Sequence, residues 1–370
     1  MVVQPQNRAG DIPPLRSIYF YPTESCNLRC SHCWVKPDHA GDMSTCRSLN
    51  RDNISVAQME SVVGQAIGLG LVNIKLTGGE PFVCPELFDF LDCFSKFDIS
   101  VTIETNATLL TRSKIERLKN YNIRMLSTSL DGSGPDVHDQ IRGIRGSFDR
   151  TVQAIKDLVD QKIFPQVIFC LQQTNAHDLE KTIQLAHTLG VKSFEINPLA
   201  MVAMENDQDT CRPLPLEQLL DLGHQVEKDF PRRLPGLHVN LYIPPALKGI
   251  RALAAANLNT CAIFTICGIL ANGDVSLCGV GRNRRELVAG NVMQQGLSDI
   301  WQNAAIFKQI RWEIPGALAG ICGSCLFKHH CLGFCRADVL SEDLPMVAPF
   351  SMCQEAYEKG LFPVTRILEK

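Results

Sequence analysis

The stretch Ser17-Ile18-Tyr19-Phe20-Tyr21-Pro22 leads, within a few residues, into Cys26-Asn27-Leu28-Arg29-Cys30-Ser31-His32-Cys33. The first run is largely apolar or aromatic, the pattern of a parallel β-strand covered by helices. The second puts three thiols within eight residues at the C-terminal end of that strand, where barrel-type sheets place their chemistry. Three thiolates hold three corners of a 4Fe–4S cubane. A fully ligated cubane takes four cysteines, so the motif leaves one iron open, as catalytic metal sites keep one position free. Two alternatives stand beside this reading: a zinc site completed by Cys46 or His32, and cysteines with no shared ligand.

Outward from the motif the pattern repeats. VNIKLT from Val72, ISVTIET from Ile99, IRMLSTSL from Ile123, QVIFCLQ from Gln166 and SFEINP from Ser193 read as further strands. Between them lie helical patterns: VAQMESVVGQAIGLG from Val56 after a Ser55 cap, PELFDFLDCFSKF, TRSKIERLKNY, SFDRTVQAIKDLVDQK and AHDLEKTIQLAHTLG. A sixth falls within 213–230. Their Ser, Thr or Asp starts and Gly stops match helix-end chemistry. Strand–helix units of this kind imply right-handed crossovers and a parallel sheet. Six are too few for the usual eight-stranded barrel. The expected fold is therefore α/β, a partial (β/α)6 barrel over residues 17–235. Residues 1–16 are expected as a tail and 236–254 as a Pro-rich linker. Residues 255–370 are expected as a second, small cysteine-rich domain, too poor in large apolar residues for an ordinary core and cross-linked by metal clusters.

The formal net charge is -3 and no block of like charge stands out. Nucleic acid and anionic membrane therefore have no electrostatic support as partners. The N-terminal MVVQPQNRAGDIPP lacks the apolar core of a signal peptide. No apolar run approaches the ~20 residues needed to span a bilayer. The expected location is cytoplasmic. Sixteen cysteines in such a chain point to metal ligation rather than disulfides.

The CxxxCxxC motif after a first strand resembles the signature of the radical S-adenosylmethionine (SAM) superfamily. The resemblance implies that SAM chelates the open iron. One electron from the cluster then cleaves SAM to a 5′-deoxyadenosyl radical that abstracts a substrate hydrogen. Thr77-Gly78-Gly79-Glu80-Pro81 resembles the family's GGE motif, which receives SAM's amino group. Its glycines allow close backbone approach to a ligand, and Glu80 suits an ammonium. Ser129-Leu130-Asp131-Gly132 with His138-Asp139 and Arg142-Gly143 resembles the family's SLDG…HDxxRG stretch. There the serine meets the ribose and Arg142 forks onto the SAM carboxylate; a surface ion pair is the bland alternative for Arg142. His32 stands where the family usually carries an aromatic against the adenine, and either stacks or faces solvent. Glu104-Thr105-Asn106 ends the third strand and is expected to shape the SAM pocket, or to be a plain turn capped by Asn106.

The C-terminal array is Cys261…Gly273-x4-Cys278, then Cys322-x2-Cys325-x5-Cys331-x3-Cys335, then Cys353. It resembles the SPASM auxiliary-cluster domain. With Cys267 it offers eight cysteines, the number two full cubanes require. The resemblance assigns Cys261, Cys267, Cys278 and Cys335 to auxiliary cluster I, and Cys322, Cys325, Cys331 and Cys353 to auxiliary cluster II. Three 4Fe–4S clusters and SAM are thus the expected cofactors. For Cys267 the alternative is a small buried hydrophobe. Cys93 and Cys170 read as core residues. Cys84 and Cys211 read as ordinary thiols, with hydrogen-atom donation to a substrate radical as the alternative.

The resemblance implies an enzyme that cross-links or oxidises a ribosomally made precursor peptide. The alternatives are an oxidoreductase or decarboxylase of a small metabolite, and a non-catalytic iron–sulfur electron carrier. Sulfatase maturation is not expected, because Gly279 follows Cys278 where those enzymes carry an aspartate. The chain enters its barrel near residue 17 with no room for a leader-binding domain, so a peptide would either need a separate leader-peptide-binding protein, an expected partner, or bind directly to the barrel edge. A flavodoxin- or ferredoxin-type one-electron donor is another.

Overall fold

The computed structural model describes residues 12–35, 53–200, 211–254, 258, 260–279 and 284–368. Cys46, half of the zinc alternative, lies outside them, as does most of the expected tail. One sheet runs through the described chain. Its strands are β1 (Ser17–Phe20), β2 (Asn73–Leu76), β3 (Ser100–Thr105), β4 (Ile123–Ser129), β5 (Gln166–Leu171), β6 (Ser193–Pro198), β7 (His238–Leu241), β8 (Ile266–Ile269), β9 (Asp274–Ser276) and β10 (Val288–Asn291). They lie in the order β10-β9-β8-β1-β2-β3-β4-β5-β6-β7. Neighbours from β8 through β7 pair in parallel, while β9 and β10 turn back antiparallel.

The helices that return the chain between parallel strands are α1 (Val56–Gly68), α2 (Leu87–Phe94), α3 (Arg112–Leu118), α4 (Pro135–Arg142), α5 (Ser147–Asp160), α6 (Leu179–Thr188) and α7 (Leu216–Lys228). Their ends follow local chemistry. Ser55 and Gln58 form a reciprocal capping box on α1. Thr111 caps α3. Pro135 occupies the first turn of α4, and Gly143 ends that helix in the left-handed conformation. The outer face of the sheet is apolar. Phe20 meets Phe90 at 4.9 Å and Phe94 at 6.3 Å, both on α2, and Phe169 meets Phe194 at 6.2 Å. Each fully buried aromatic of this kind contributes about 1.5–3 kcal/mol of transfer free energy.

The structure departs from sequence expectation in two places. Residues 238–241, expected in a linker, form β7 and pair with β6. The C-terminal region also has more core than its composition suggests. Its β8 pairs with β1, and Trp301, 1% exposed, packs on Phe307 at 4.8 Å while its indole N–H donates to the Pro13 carbonyl. A single apolar cluster therefore extends from Leu15 to Phe362. No helix among the described residues is long and apolar enough to cross a membrane.

Candidate active site

The cysteine loop leaves β1 and is held from both sides. From one side comes the Gly78-Gly79-Glu80 turn after β2. The Gly79 N–H donates to the Thr23 carbonyl and the Glu80 N–H to the Ser25 carbonyl, at 3.1 and 2.9 Å. A Cβ on Gly79 would strike the Ser25 carbonyl, and one on Gly78, whose φ is +115°, would sit 2.7 Å from the Tyr21 ring. The close approach that demands glycine here is thus to the protein's own cysteine loop. From the other side, the Arg29 and Ser31 N–H groups donate to the carbonyls of Arg142 and Ile141 at the end of α4, each at 3.0 Å. A Cβ on Gly143 would meet the Arg29 carbonyl.

Glu80 is buried and ties the ends of β2 and β3 together. It accepts from Thr105 Oγ1 at 2.6 Å, the Phe82 N–H at 3.0 Å and the Asn106 N–H at 2.8 Å. Burial pushes its carboxyl up and these donors oppose the shift. A carboxylate offers about four acceptor positions, so one remains for a ligand ammonium. Asn106 does more than cap a turn. Its Nδ2 donates to Asn27 Oδ1 at 3.0 Å and lies 3.9 Å from Cys26 Sγ.

Asp131, which sequence reasoning quoted without a role, is the hub of the opposite wall. It is fully buried. Its carboxylate pairs with Arg142 at 2.6 Å and accepts from the Cys170 N–H at 2.8 Å. His32 Nε2 lies 3.9 Å away. Burial would raise Asp131, but the Arg142 guanidinium overrides it, the Cys170 amide adding to the effect, and holds it below the usual carboxylate range. Arg142 also donates to Cys30 Sγ at 3.5 Å, so it is neither exposed nor a surface pair. His32 is buried too, which removes the solvent-facing alternative. His138 Nδ1 accepts from the Asp131 N–H. Asp139 caps α5, accepting from Gly146 N, Ser147 Oγ and Phe148 N. Ser129 ends β4 on the inner face of the sheet, paired with Ile168.

Cys26, Cys30 and Cys33 thus converge between the two walls. Burial pushes the Cys26 thiol up to about 12, Glu80 adding to the shift, and raises Cys30 against the pull of Arg142. A thiol so placed stays protonated until a metal takes it as thiolate. The surroundings suit that: the Leu28 N–H donates to Cys26 Sγ at 3.4 Å, and Arg142 to Cys30. Arg142 Nε and His32 Nδ1 are buried with no protein partner. The spare Arg142 N–H and the remaining acceptor position on Glu80 would suit the carboxylate and ammonium of SAM beside an iron–sulfur cluster held by these three cysteines. Among the described residues no three His, Cys, Asp or Glu side chains close tightly enough to hold a lone metal ion.

The C-terminal cysteines form no disulfide. Cys322, Cys325, Cys331 and Cys353 line one cavity with Gly333 and Lys328. Phe350 N–H donates to Cys322 Sγ at 3.4 Å and Phe327 N–H to Cys325 Sγ at 3.3 Å. A second group gathers Cys335, Cys261 and Cys278: Cys261 and Cys278 act electrostatically on Cys335, and Cys278 on Cys261. Cys267 sits apart, inside the apolar core of β8. Arg336, fully buried between the two groups, donates to the carbonyls of Gly333, Met346 and Ala348.

A family model for the radical SAM superfamily matches residues 20–186, and one for the SPASM iron–sulfur cluster-binding domain matches residues 261–326. The chain is a radical SAM protein with a SPASM domain. It is similar to an AdoMet-dependent heme synthase of Methanosarcina barkeri, 27% identical across 85% of this chain and 89% of that one. It is also similar to the mycofactocin maturase MftC of Mycobacterium tuberculosis, 26% identical across 91% and 82%. The subtilosin biosynthesis protein AlbA of Bacillus subtilis is 32% identical across 47% of this chain and 37% of its own. In fold it resembles Streptococcus suis SuiB, with a TM-score of 0.72, 19% identity and coverage of 93% and 78%.

This radical SAM enzyme uses SAM and iron–sulfur clusters. Its barrel lumen is polar, which near-continuous apolar strands did not suggest. Alternate residues carry it, as strand periodicity requires. Lys75 Nζ pairs with Glu104 at 2.5 Å and lies 4.7 Å from the centroid of the Tyr19 ring. Glu195 accepts from Gln166 and Asn240, each at 3.3 Å, and Lys248 donates to Asn240 at 3.1 Å. A side chain at Gly279 would collide with the Tyr21 hydroxyl, which donates to the Gly279 carbonyl at 2.7 Å. An aspartate has no room there. Cys84 is a buried thiol pushed up to about 12 by burial, its sulfur 3.6 Å from Glu86 Oε2, and Cys211 is buried against Leu199 and Cys170.

Proposed function

We propose that this enzyme generates a 5′-deoxyadenosyl radical above its barrel lumen and uses it to oxidise or cross-link a ribosomally made precursor peptide. The observation that carries the radical step is Arg142, which joins Asp131 and Cys30 while keeping a buried Nε for an incoming carboxylate. When bound, the cluster on Cys26, Cys30 and Cys33 supplies the electron that cleaves SAM. The chain's own residues do the rest. Arg142 orients the carboxylate, Glu80 accepts from the ammonium, Ser129 stands at the ribose edge, and His32, held neutral by burial with its acidity constant lowered to about 4, stacks without charge. Asn106, Gly78 and Gly79 fix the loop that carries the thiols.

The peptide reading is supported by similarity to a maturase along 91% of the chain. A small metabolite is the second reading, favoured by the similarity to a heme synthase and by the charged lumen, where Lys75 and Lys248 suit a carboxylated substrate. Three 4Fe–4S clusters, about twelve irons per chain, make an electron route from the substrate outward to a flavodoxin- or ferredoxin-type partner. A separate leader-binding protein presents the peptide. Mass spectrometry of candidate peptides and metabolites after incubation with reduced enzyme and SAM tests this: a mass change confined to peptides is expected, and one confined to metabolites would overturn the peptide reading.

A further inference from the structure

The loop of Cys33 and the hairpin of Cys278 are far apart in sequence, yet one buried side chain joins them. Tyr21 is the first residue beyond β1, and its N–H donates to the carbonyl of Ile269, the last residue of β8, at 2.9 Å. The strand that leads into the first cysteine loop and the strand that leads toward Cys278 therefore end side by side. The Tyr21 side chain is buried. With Val35 and Leu270 it forms a small apolar cluster apart from the main core, and Cys33 packs against that cluster. At the far end of the ring, the hydroxyl donates at 2.7 Å to the carbonyl of Gly279, the residue after Cys278. Burial raises this hydroxyl first of all, and Cys278 and Cys33 both add to the shift.

The neighbours are cut back to fit the phenol. A Cβ on Gly78 would sit 2.7 Å from the ring, and one on Gly279 would collide with the hydroxyl. A ring placed for packing alone could be phenylalanine; a buried hydroxyl needs a partner, and here the partner is the peptide next to a cluster cysteine. The result is a continuous path. It runs from Cys33 through the apolar cluster and the ring, across the hydrogen bond to Gly279, and through one peptide to Cys278. Electrons pass between buried centres more readily through packed and hydrogen-bonded atoms than across a gap. Tyr19, two residues earlier, is the internal comparison: Cys261 and Cys278 act on it too, but its ring lies beside Lys75 in the lumen.

We propose that Tyr21 is the electron bridge between the SAM-cleaving cluster and auxiliary cluster I, its ring and its hydrogen bond to Gly279 forming the path along which one electron crosses. This rests on the reading that both cysteine groups carry clusters. The step moves one electron and no proton. Auxiliary cluster I is oxidised by one electron, the SAM-cleaving cluster is reduced by one, and the phenol keeps its O–H.

The test uses the full chain, reconstituted anaerobically, reduced by a laser flash with deazaflavin and freeze-quenched for EPR. The SAM-cleaving signal is the one missing from the Cys26/Cys30/Cys33→Ala chain. The parent is expected to show a phase in which spin moves between the auxiliary and SAM-cleaving signals. A parent with no SAM-cleaving signal would remove the reading beneath; a parent with both signals and no such phase would overturn the inference. Tyr21→Phe keeps the ring and loses the hydrogen bond, and Gly279→Ala pushes the hydroxyl away from the other end. Both are expected to slow the phase several-fold at parental iron content and SAM binding, while Tyr19→Phe keeps the parental rate. Equal rates in the parent and both variants would overturn the inference. So would equal slowing by Tyr19→Phe, or a loss of about four irons in Tyr21→Phe, which would make the hydroxyl a structural tie.

Discussion

Arg142 at the end of α4 donates to the sulfur of Cys30 across 3.5 Å, so the helix that follows β4 and the loop that follows β1 meet at one guanidinium. The same group pairs with buried Asp131 at 2.6 Å. Replacing Arg142 by Met removes one partner of a buried ion pair and strands the other. We expect a loss of about 3–5 kcal/mol, read by anaerobic denaturant unfolding, together with loss of SAM binding by equilibrium dialysis. Unchanged unfolding would contradict the Arg142–Asp131 arrangement.

Gly79→Ala drives a methyl into the Ser25 carbonyl, whereas Gly134 has nothing within 4 Å of a Cβ. The first substitution is expected to displace the cysteine loop and lower the iron content by about four per chain. Gly134→Ala is expected to leave iron content at the parental level. Equal iron in both variants would show that the loop does not depend on that approach.

His138 is buried beneath Asp131 and its acidity constant is lowered from 6.5 to about 4, first by burial and then by Arg142. Below pH 6.5 the unfolded chain binds a proton there that the folded chain refuses. Stability contributed by the neutral ring is therefore complete above about 6.5 and is lost as pH falls toward 4, by an amount on the order of 3 kcal/mol. His138→Gln is expected to show a shallower fall in unfolding free energy between pH 7 and 5 than the parent. Parallel slopes would rule the ring out as the source.

Arg336 is a buried cation beside both auxiliary cysteine groups, acting on Cys322, Cys331, Cys335 and Cys261. A positive charge favours the reduced state of a nearby cluster. Potentiometric EPR titration of Arg336→Gln is expected to show both auxiliary signals at more negative potentials, with Arg336→Lys partly restoring them. The three carbonyls left short of a donor cost about 1–3 kcal/mol each, but lost packing alone would not move both potentials the same way.

Strands β1 to β6 and every helix through α7 except α4 were legible because their signals are local: alternation and apolar runs, a Ser55 cap, a Thr111 cap, and Gly70 and Gly190 just past α1 and α6. The cysteines, Glu80 and Arg142 were legible because motif spacing is linear. What escaped depends on pairing. The four-residue β7 sits in a Pro-rich stretch and exists only because β6 offers an edge. The side to which Cys267 points is set by its register with Ile18, which spacing does not encode. Asp131 looks like any motif aspartate until Arg142, His32 and the Cys170 amide close on it. The polar lumen was hidden because Lys75, Glu104, Glu195 and Asn240 come from four strands, one from each, among apolar neighbours.

The central claim is that Cys26, Cys30 and Cys33 hold the cluster that cleaves SAM. The most direct test is liquid chromatography–mass spectrometry of 5′-deoxyadenosine from dithionite-reduced enzyme and SAM, parent against Cys26/Cys30/Cys33→Ala. The parent is expected to produce 5′-deoxyadenosine and the triple variant none, with its auxiliary iron retained. Continued 5′-deoxyadenosine formation by the triple variant would contradict the account.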